Sequence, residues 1–219
     1  MKLELERLKE QFDQDGFVVV RGLATGELLS EIRKKVPQAV QIAEEARVNA
    51  DKDKPSSSRF AFTNVNKGLE RIDPFFRNFL EAGPQLRILE ALLGEPPTPT
   101  TAGCFSKDDP EEVVQPHRDG DNGATVWIAL DPCGPANGCI YYLRGSHLGK
   151  DTDKQWELGD VDELVAHPEA IPVRLAPGDA SIHYSKTIHW SGKNVSGAPR
   201  RGLNAFYQKM DGRRKHGFR

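Results

Sequence analysis

The chain has 219 residues, and its 30 lysines and arginines nearly balance 32 aspartates and glutamates, which gives a net charge of -2. The length suffices for one domain with a sizeable core, and the balanced charge gives no reason to expect nucleic acid or an anionic membrane as a partner. No apolar run approaches the roughly 18 residues of a membrane span, and the charged first residues are unlike a signal peptide. We therefore expect a cytoplasmic monomer or homodimer whose partner is a small molecule.

The cysteines bear on the redox compartment. Cys104, Cys133 and Cys139 are odd in number and lack the paired spacing of a zinc site. Buried or free thiols in a reducing compartment are therefore expected, rather than a disulfide framework.

The first half of the chain has the apolar spacing of helices. A charged opening helix should end at Asp15-Gly16, before the β-branched run 17–20, which predicts a strand. Thr25 is the expected N-cap of a second helix that runs to about residue 46, and Pro37 would allow a kink or a break in it.

Two further segments precede residue 96, after which the helical spacing of apolar residues gives way to short strand-like runs. Residues 49–58 are rich in Lys, Asp, Pro and Ser, which is typical of a loop and makes them a candidate lid. Between 72 and 93 the apolar spacing predicts two short helices broken at Gly83-Pro84.

After Pro96-Pro97, short apolar or alternating runs dominate and are punctuated by turn dipeptides such as Asp-Pro, Gly-Pro and Asn-Gly. The predicted strands are 100–105, 124–130, 138–143, 171–175, 180–184 and 202–208. Many short strands with turn signals indicate an antiparallel jelly roll. We expect a mainly β fold of the α+β class in a single domain, 1–219, with a helical part over about 1–95 and a double-stranded β-helix, cupin-like, over about 96–210.

The strongest chemical signal lies in the β-rich part. If the chain is extended there, His117 and Asp119 leave the same face of the backbone and can converge on one point. His189, in a strand-like run 70 residues after Asp119, is the best third candidate. Two histidines and one carboxylate form the facial triad typical of non-haem Fe(II) oxygenases.

A second pattern follows the third candidate ligand. Arg200 begins the last predicted strand, 11 residues after His189, and Ser191 shares the strand face of that histidine. Oxygenases of this class use 2-oxoglutarate, whose far carboxylate needs a fixed partner, and the planar guanidinium of arginine matches a carboxylate. A cupin-like metal protein or isomerase that does no O2 chemistry stays open as the alternative, and it would not need Arg200.

Landmarks over residues 12 to 201 together resemble the phytanoyl-CoA dioxygenase family of Fe(II)/2-oxoglutarate oxygenases. They are 12–23 (FDQDGFVVVRGL), 117–119 (HRD), 127–131 (WIALD), 137–140 (NGCI), 145–147 (GSH), 177–179 (PGD), 189–194 (HWSGKN) and 199–201 (PRR). The resemblance implies His117, Asp119 and His189 as ligands and catalytic centre. It also implies Arg200 and Ser191 on the 2-oxoglutarate carboxylate and Trp127 in the wall of that pocket, with O2 as the second co-substrate.

The resemblance also bounds the chemistry. His147 would belong to a structural turn. His183 could face the site, but we expect a hydrogen-bonded histidine, either in the core or behind the ligands, rather than a ligand. A carboxylate at Asp119 favours hydroxylation, desaturation or ring closure over halogenation. Because the chain is short for the family, we expect a small polar substrate rather than a bulky acyl-CoA. Its candidate contacts are Lys107, Arg118, Tyr141, Tyr184 and Asn204.

Overall fold

The structure is a computed structural model of the chain, and it describes residues 2–51, 65–108, 113–120, 122–149 and 161–210. Its α-helices are α1 (Lys2–Asp15), α2 (Gly26–Asp51), α3 (Pro74–Ala82), α4 (Gln85–Leu93) and α5 (Val161–Val165). Its strands are β1 (Phe17–Val20), β2 (Val65–Lys67), β3 (Thr98–Lys107), β4 (Val114–His117), β5 (Gly123–Ala129), β6 (Ile140–Leu143), β7 (Ala170–Pro172), β8 (Ala180–Tyr184), β9 (His189–Ser191) and β10 (Arg200–Gln208).

The helices α1, α3 and α4 lie where the apolar spacing predicts them. α1 ends before Gly16, whose left-handed φ of 84° opens the turn into β1. α3 and α4 are separated at Gly83-Pro84, and the side chain of Asp73 caps α3 by accepting a hydrogen bond from the amide of Phe75. Local sequence is sufficient to place these elements.

The second helix differs from its prediction. α2 begins directly after Thr25 but runs through Pro37 as far as Asp51, so the break allowed at this proline does not occur. The expected loop over 49–58 therefore starts later, and its part beyond residue 51 lies outside the described residues. Among the described helices, none combines the length and apolarity needed to cross a bilayer.

Two antiparallel sheets pack face to face and form the predicted jelly roll. The large sheet has the strand order β1-β8-β5-β10-β3-β2, and the small sheet has the order β4-β9-β6-β7. The strands β2 and β4 were not predicted because each is a short edge strand with little alternation. β7 is shorter than its predicted run over 171–175.

Alternation along the strands gives the large sheet two different faces. One face packs against α1 to α4 and is apolar, with buried residues that include Val18, Ala102, Cys104, Val126, Ile128, Ile182, Leu203 and Ala205. The other face points towards the small sheet and carries Phe17, Thr125, Trp127, Ser181, His183, Arg200 and Asn204. All three cysteines are buried and free, as expected.

Candidate metal centre and co-substrate pocket

The three predicted ligands meet at the mouth between the two sheets. His117 ends β4 and lies opposite His189, the first residue of β9. Asp119 lies two residues beyond β4, where its amide donates a hydrogen bond to the carbonyl of Ser185 at 3.0 Å. Its Oδ1 is 3.9 Å from His117 Nε2 and 3.8 Å from His189 Nε2, and the donor atoms all lie within 4.8 Å of one another. The structure brings the three predicted residues together, although Asp119 lies after the strand rather than on it.

Backbone carbonyls orient the rings of both candidate histidine ligands. His117 Nδ1 donates to the carbonyl of Gln115 at 2.8 Å, and His189 Nδ1 donates to that of Thr187 at 3.0 Å. Because a carbonyl oxygen can only accept, Nδ1 carries a proton in each ring, and in the neutral form of the ring the lone pair is then on Nε2. This is the usual outer arrangement of metal-binding histidines.

The carboxylate of Asp119 is held through one of its oxygens. Thr125 Oγ1 donates to Oδ2 at 2.6 Å, and His183 Nε2 donates to the same oxygen at 2.9 Å. His183 Nδ1 then accepts from the hydroxyl of Tyr142 at 2.9 Å, and Ser181 Oγ lies 3.0 Å from that hydroxyl. Oδ1 is left facing the two imidazoles, so the group presents one oxygen to an ion.

His183 thus has the outer role expected for it, whereas Thr125, Tyr142 and Ser181 were not anticipated. Thr125 and Ser181 lie at alternate positions of β5 and β8 on the face of His183. A polar residue at an otherwise apolar strand position is a signal that could have found them.

The pKa values of Asp119 and His189 are shifted in the directions that favour metal binding. Burial alone would raise the pKa of Asp119, but the hydrogen bond from His183, the nearby imidazoles and Thr125 hold it well below its usual value. Burial, with the charges of His183 and His117, lowers the pKa of His189 to about 3. The carboxylate is therefore ionised and His189 is neutral at neutral pH.

A cavity of about 330 Å³ adjoins the triad and contains the predicted co-substrate residues. Arg200 is 3% exposed, and its Nε and Nη2 donate to the carbonyl of Gly138 at 3.1 and 2.7 Å. The guanidinium lies 5.3 Å from the ring centroid of Trp127. That indole covers Gly202, where an added Cβ would stand 2.0 Å from the ring, so glycine makes this packing possible.

Buried polar atoms in the wall of this cavity that have no hydrogen-bond partner in the described part of the chain include Ser191 Oγ, Asn204 Oδ1 and Trp190 Nε1. Buried polar groups in folded proteins are nearly always paired, so these atoms indicate a polar ligand.

The neighbouring arginine is oriented away from the cavity. The Arg201 side chain donates to both carboxylate oxygens of Asp131, at 2.8 and 2.9 Å, and its amide donates to one of them. Alternation on β10 therefore places only the first member of the arginine pair at the site.

The structure places some of the predicted substrate contacts at the cavity and others away from it. Arg118 and Asn204 line the cavity. Lys107 is buried opposite Arg200 on β3. The prediction was wrong for Tyr141 and Tyr184. The Tyr141 ring stacks on that of Trp190 with 5.7 Å between the ring centroids, and Tyr184 packs against the helix-facing core. His147 is not part of the triad, and its Nε2 donates to the carbonyl of Asp13.

Comparison with known proteins identifies the family. A family model described as Phytanoyl-CoA dioxygenase (PhyH) matches residues 12–202. The chain belongs to the phytanoyl-CoA dioxygenase family. A curated relative, Phytanoyl-CoA dioxygenase 1 of Oryza sativa subsp. japonica, is 24% identical over 68% of this chain and 58% of its own length. The chain thus spans less than two thirds of that relative.

Solved structures support the fold of this family member. One is the epimerase SnoN in complex with Fe3+, alpha ketoglutarate and nogalamycin RO, with a TM-score of 0.68, 24% identity and coverage of 96% of this chain and 85% of that one. Another is the alpha ketoglutarate dependent carbocyclase SnoK from nogalamycin biosynthesis, with a TM-score of 0.70, 18% identity and coverage of 94% and 84%. The family and the donor set together make Fe(II) and 2-oxoglutarate the cofactors of the site.

Proposed function

We propose that this protein is an Fe(II)/2-oxoglutarate-dependent oxygenase that hydroxylates a small polar molecule and releases succinate and CO2. One observation carries the proposal: two imidazoles and a single carboxylate oxygen converge beside a cavity that contains a buried arginine. This donor set suits a non-haem Fe(II) centre with adjacent positions left for ligands.

Each residue has a definite task in this scheme. His117, Asp119 and His189 hold the metal and are the catalytic centre. Arg200 and Ser191 bind the C5 carboxylate of 2-oxoglutarate, and Trp127 forms the wall that keeps the guanidinium in place. When bound, the iron supplies O2 reduction and substrate oxidation, with 2-oxoglutarate as the source of two electrons.

The reaction type rests on the carboxylate. Asp119 occupies the position that a halogenating enzyme would leave to a halide, so oxygen transfer is proposed over halogenation. SnoN and SnoK are named an epimerase and a carbocyclase, and desaturation or ring closure is the related outcome for this chain. Cytoplasmic location, a monomeric or dimeric state and a single domain over 1–219 stay predictions.

The assay is succinate formation with O2 uptake by protein loaded with Fe(II) and 2-oxoglutarate. No succinate across a broad set of small polar substrates, with iron shown to be bound, would contradict the proposal. It would favour a cupin-like metal protein or isomerase.

A pair of adjacent variants tests the co-substrate site. Arg200→Leu should weaken 2-oxoglutarate binding by about 100-fold, because a buried charge-assisted contact is lost, and it should leave metal binding unchanged. Arg201→Leu removes the same charge from the opposite face of β10 and should leave 2-oxoglutarate affinity unchanged. Equal affinities of Arg200→Leu and the unaltered protein would remove Arg200 from the site.

A further inference from the structure

The turn that follows α1 contacts the segment that leads to the third candidate ligand. The carbonyl of Gly16 accepts a hydrogen bond from the amide of Tyr184 at 2.9 Å and a second one from the hydroxyl of Thr187 at 2.7 Å. Thr187 lies two residues before His189. The end of the N-terminal helix is therefore bonded to the chain that enters β9.

The two polar groups of Thr187 connect this turn to the metal centre. Its hydroxyl donates to Gly16, and its carbonyl accepts from His189 Nδ1 at 3.0 Å. The side chain is fully buried. Only glycine fits at the contact, because an added Cβ on Gly16 would stand 2.5 Å from Thr187 Oγ1. The carbonyl that orients the imidazole thus belongs to a residue whose side chain is fixed on another element.

A second contact holds the same segment from the turn that follows β6. Ser146 Oγ accepts from the amide of Ile188 at 2.9 Å. This turn is also bonded to α1, because the amide of Gly145 donates to the carbonyl of Asp15 at 2.9 Å. The carbonyl of Ser146 accepts from Nη2 of Arg118, which lies between the other two candidate ligands, at 3.2 Å. Both parts of the triad are therefore connected to the end of α1.

The position of Thr187 in the chain makes its hydroxyl important. It precedes β9 and lies outside the paired residues of that strand, so the β-ladder does not hold its carbonyl. An imidazole can rotate about its side-chain bonds, and a hydrogen bond to one ring nitrogen determines which way the other faces. Residues that hold a metal-binding histidine in this way affect metal affinity strongly.

We infer that Thr187 is a positioning residue of the metal centre. Its hydroxyl bonds the ligand segment to the end of α1 and so fixes the carbonyl that holds His189 Nδ1. The inference rests on the proposed function, because it assigns Thr187 to the metal centre of that proposal.

Two substitutions separate the hydroxyl of Thr187 from the shape of its side chain. Thr187→Val keeps the shape and removes the hydroxyl, whereas Thr187→Ser keeps the hydroxyl. In Thr187→Val the carbonyl of Gly16 still accepts from the amide of Tyr184, so no buried acceptor is left unpaired and the variant should fold. Thr187→Ala, which places no second methyl group beside that carbonyl, is the alternative variant without a hydroxyl.

Isothermal titration of the metal-free proteins with Mn(II) measures the effect, at a temperature where urea titration shows every variant to be folded. Thr187→Val and Thr187→Ala should bind Mn(II) about tenfold more weakly than the unaltered protein, and Thr187→Ser should stay within about twofold of it. Ser30→Ala is the matched control. It removes a hydroxyl that donates to the carbonyl of Gly26 within α2, and it should leave the affinity unchanged.

Nitrogen-15 NMR of His189 in the metal-free protein gives a readout that a purely structural role would not change. In the unaltered protein the neutral ring should carry its proton on Nδ1. In Thr187→Val the share of the Nε2–H tautomer should rise, because the carbonyl that selects Nδ1–H is no longer fixed.

Three results would overturn the inference: equal Mn(II) affinities of Thr187→Val and the unaltered protein, a Thr187→Ser variant as weak as Thr187→Val, or the same tautomer of His189 in equal shares in all of them. Such results with normal Mn(II) binding by the unaltered protein would leave the proposed function intact. No Mn(II) binding by the unaltered protein would instead contradict the proposed function, and with it the inference.

Discussion

The two faces of the large sheet are built from the same strands and differ in chemistry. The face against the helices is a continuous apolar core. The face towards the small sheet carries hydroxyl, imidazole, guanidinium and amide groups that converge on the triad. Because successive residues alternate between the faces, substitutions at neighbouring positions of one strand should have different effects. On one face they should reduce metal or co-substrate binding, and on the other they should reduce the free energy of unfolding.

The largest expected effect is on the site face. Asp119→Ala removes the one carboxylate of the triad, and iron affinity and turnover should both fall by at least about 100-fold, since even residues that merely orient a ligand cost 10 to 100-fold. The free energy of unfolding of the metal-free protein should change little. Iron titration and succinate assays measure the loss; hydroxylation retained by Asp119→Ala would place the carboxylate ligand elsewhere.

The opposite face should show the reverse pattern. Leu203 is fully buried against the helices, and Leu203→Ala should lower the free energy of unfolding by about 2 to 5 kcal/mol through a cavity in the core. At a temperature where the variant is folded, its 2-oxoglutarate affinity should be unchanged. Urea denaturation and ligand titration separate the two quantities. A matched loss of affinity would show that the faces are not independent.

A smaller effect tests the hydrogen-bonded chain behind the carboxylate. His183→Phe removes the donor to Asp119 Oδ2 and should weaken metal binding by about 10 to 100-fold. His183→Gln keeps an N–H donor and should restore part of the affinity. Isothermal titration with Mn(II) measures both variants. Equal affinities for His183→Phe and His183→Gln would mean that His183 acts through packing alone.

The smallest effect concerns pH and lies at the edge of the site. Burial opposes ionisation of Asp131, but the hydrogen bonds from Arg201 lower its pKa below the ordinary value. A lowered folded-state pKa gives stability that is present above the unfolded-state pKa and is lost as pH falls below it. Between pH 5.5 and pH 3, the unaltered protein should therefore lose up to about 1 kcal/mol more unfolding free energy than Asp131→Asn. Equal losses in urea titrations would show that this pair contributes nothing measurable.

Local sequence accounts for most of the architecture. The helices α1, α3 and α4 and the strands β3, β5, β8 and β10 follow from apolar spacing and from turn residues. α2 continues through Pro37 without a break because packing of an amphipathic helix can outweigh the hydrogen bond that a proline removes. The short edge strands escape detection because their pairing depends on a partner far along the chain.

The candidate site could be predicted where the type of side chain itself indicates a ligand. The triad and Arg200 were identified because histidine and carboxylate groups bind metals and arginine binds carboxylates. Tyr141 and Tyr142 show the limit: they are adjacent, so one must face the site, but only the register with β9 shows that it is Tyr142. Face assignment needs strand pairing, which a single sequence does not contain.

The position of β4 has a consequence for how the protein is held together. Among the described strands, this edge strand pairs with β9 alone. Two of the three predicted ligands lie on it or just after it, and the third opens β9. An ion bound there acts as a crosslink between an edge and its neighbour. By mass action, any ion that prefers the closed pair stabilises it by an amount that grows with metal concentration. Metal affinity and the resistance of β4 to local opening are therefore thermodynamically linked, and hydrogen exchange at β4 should slow as the ion is added.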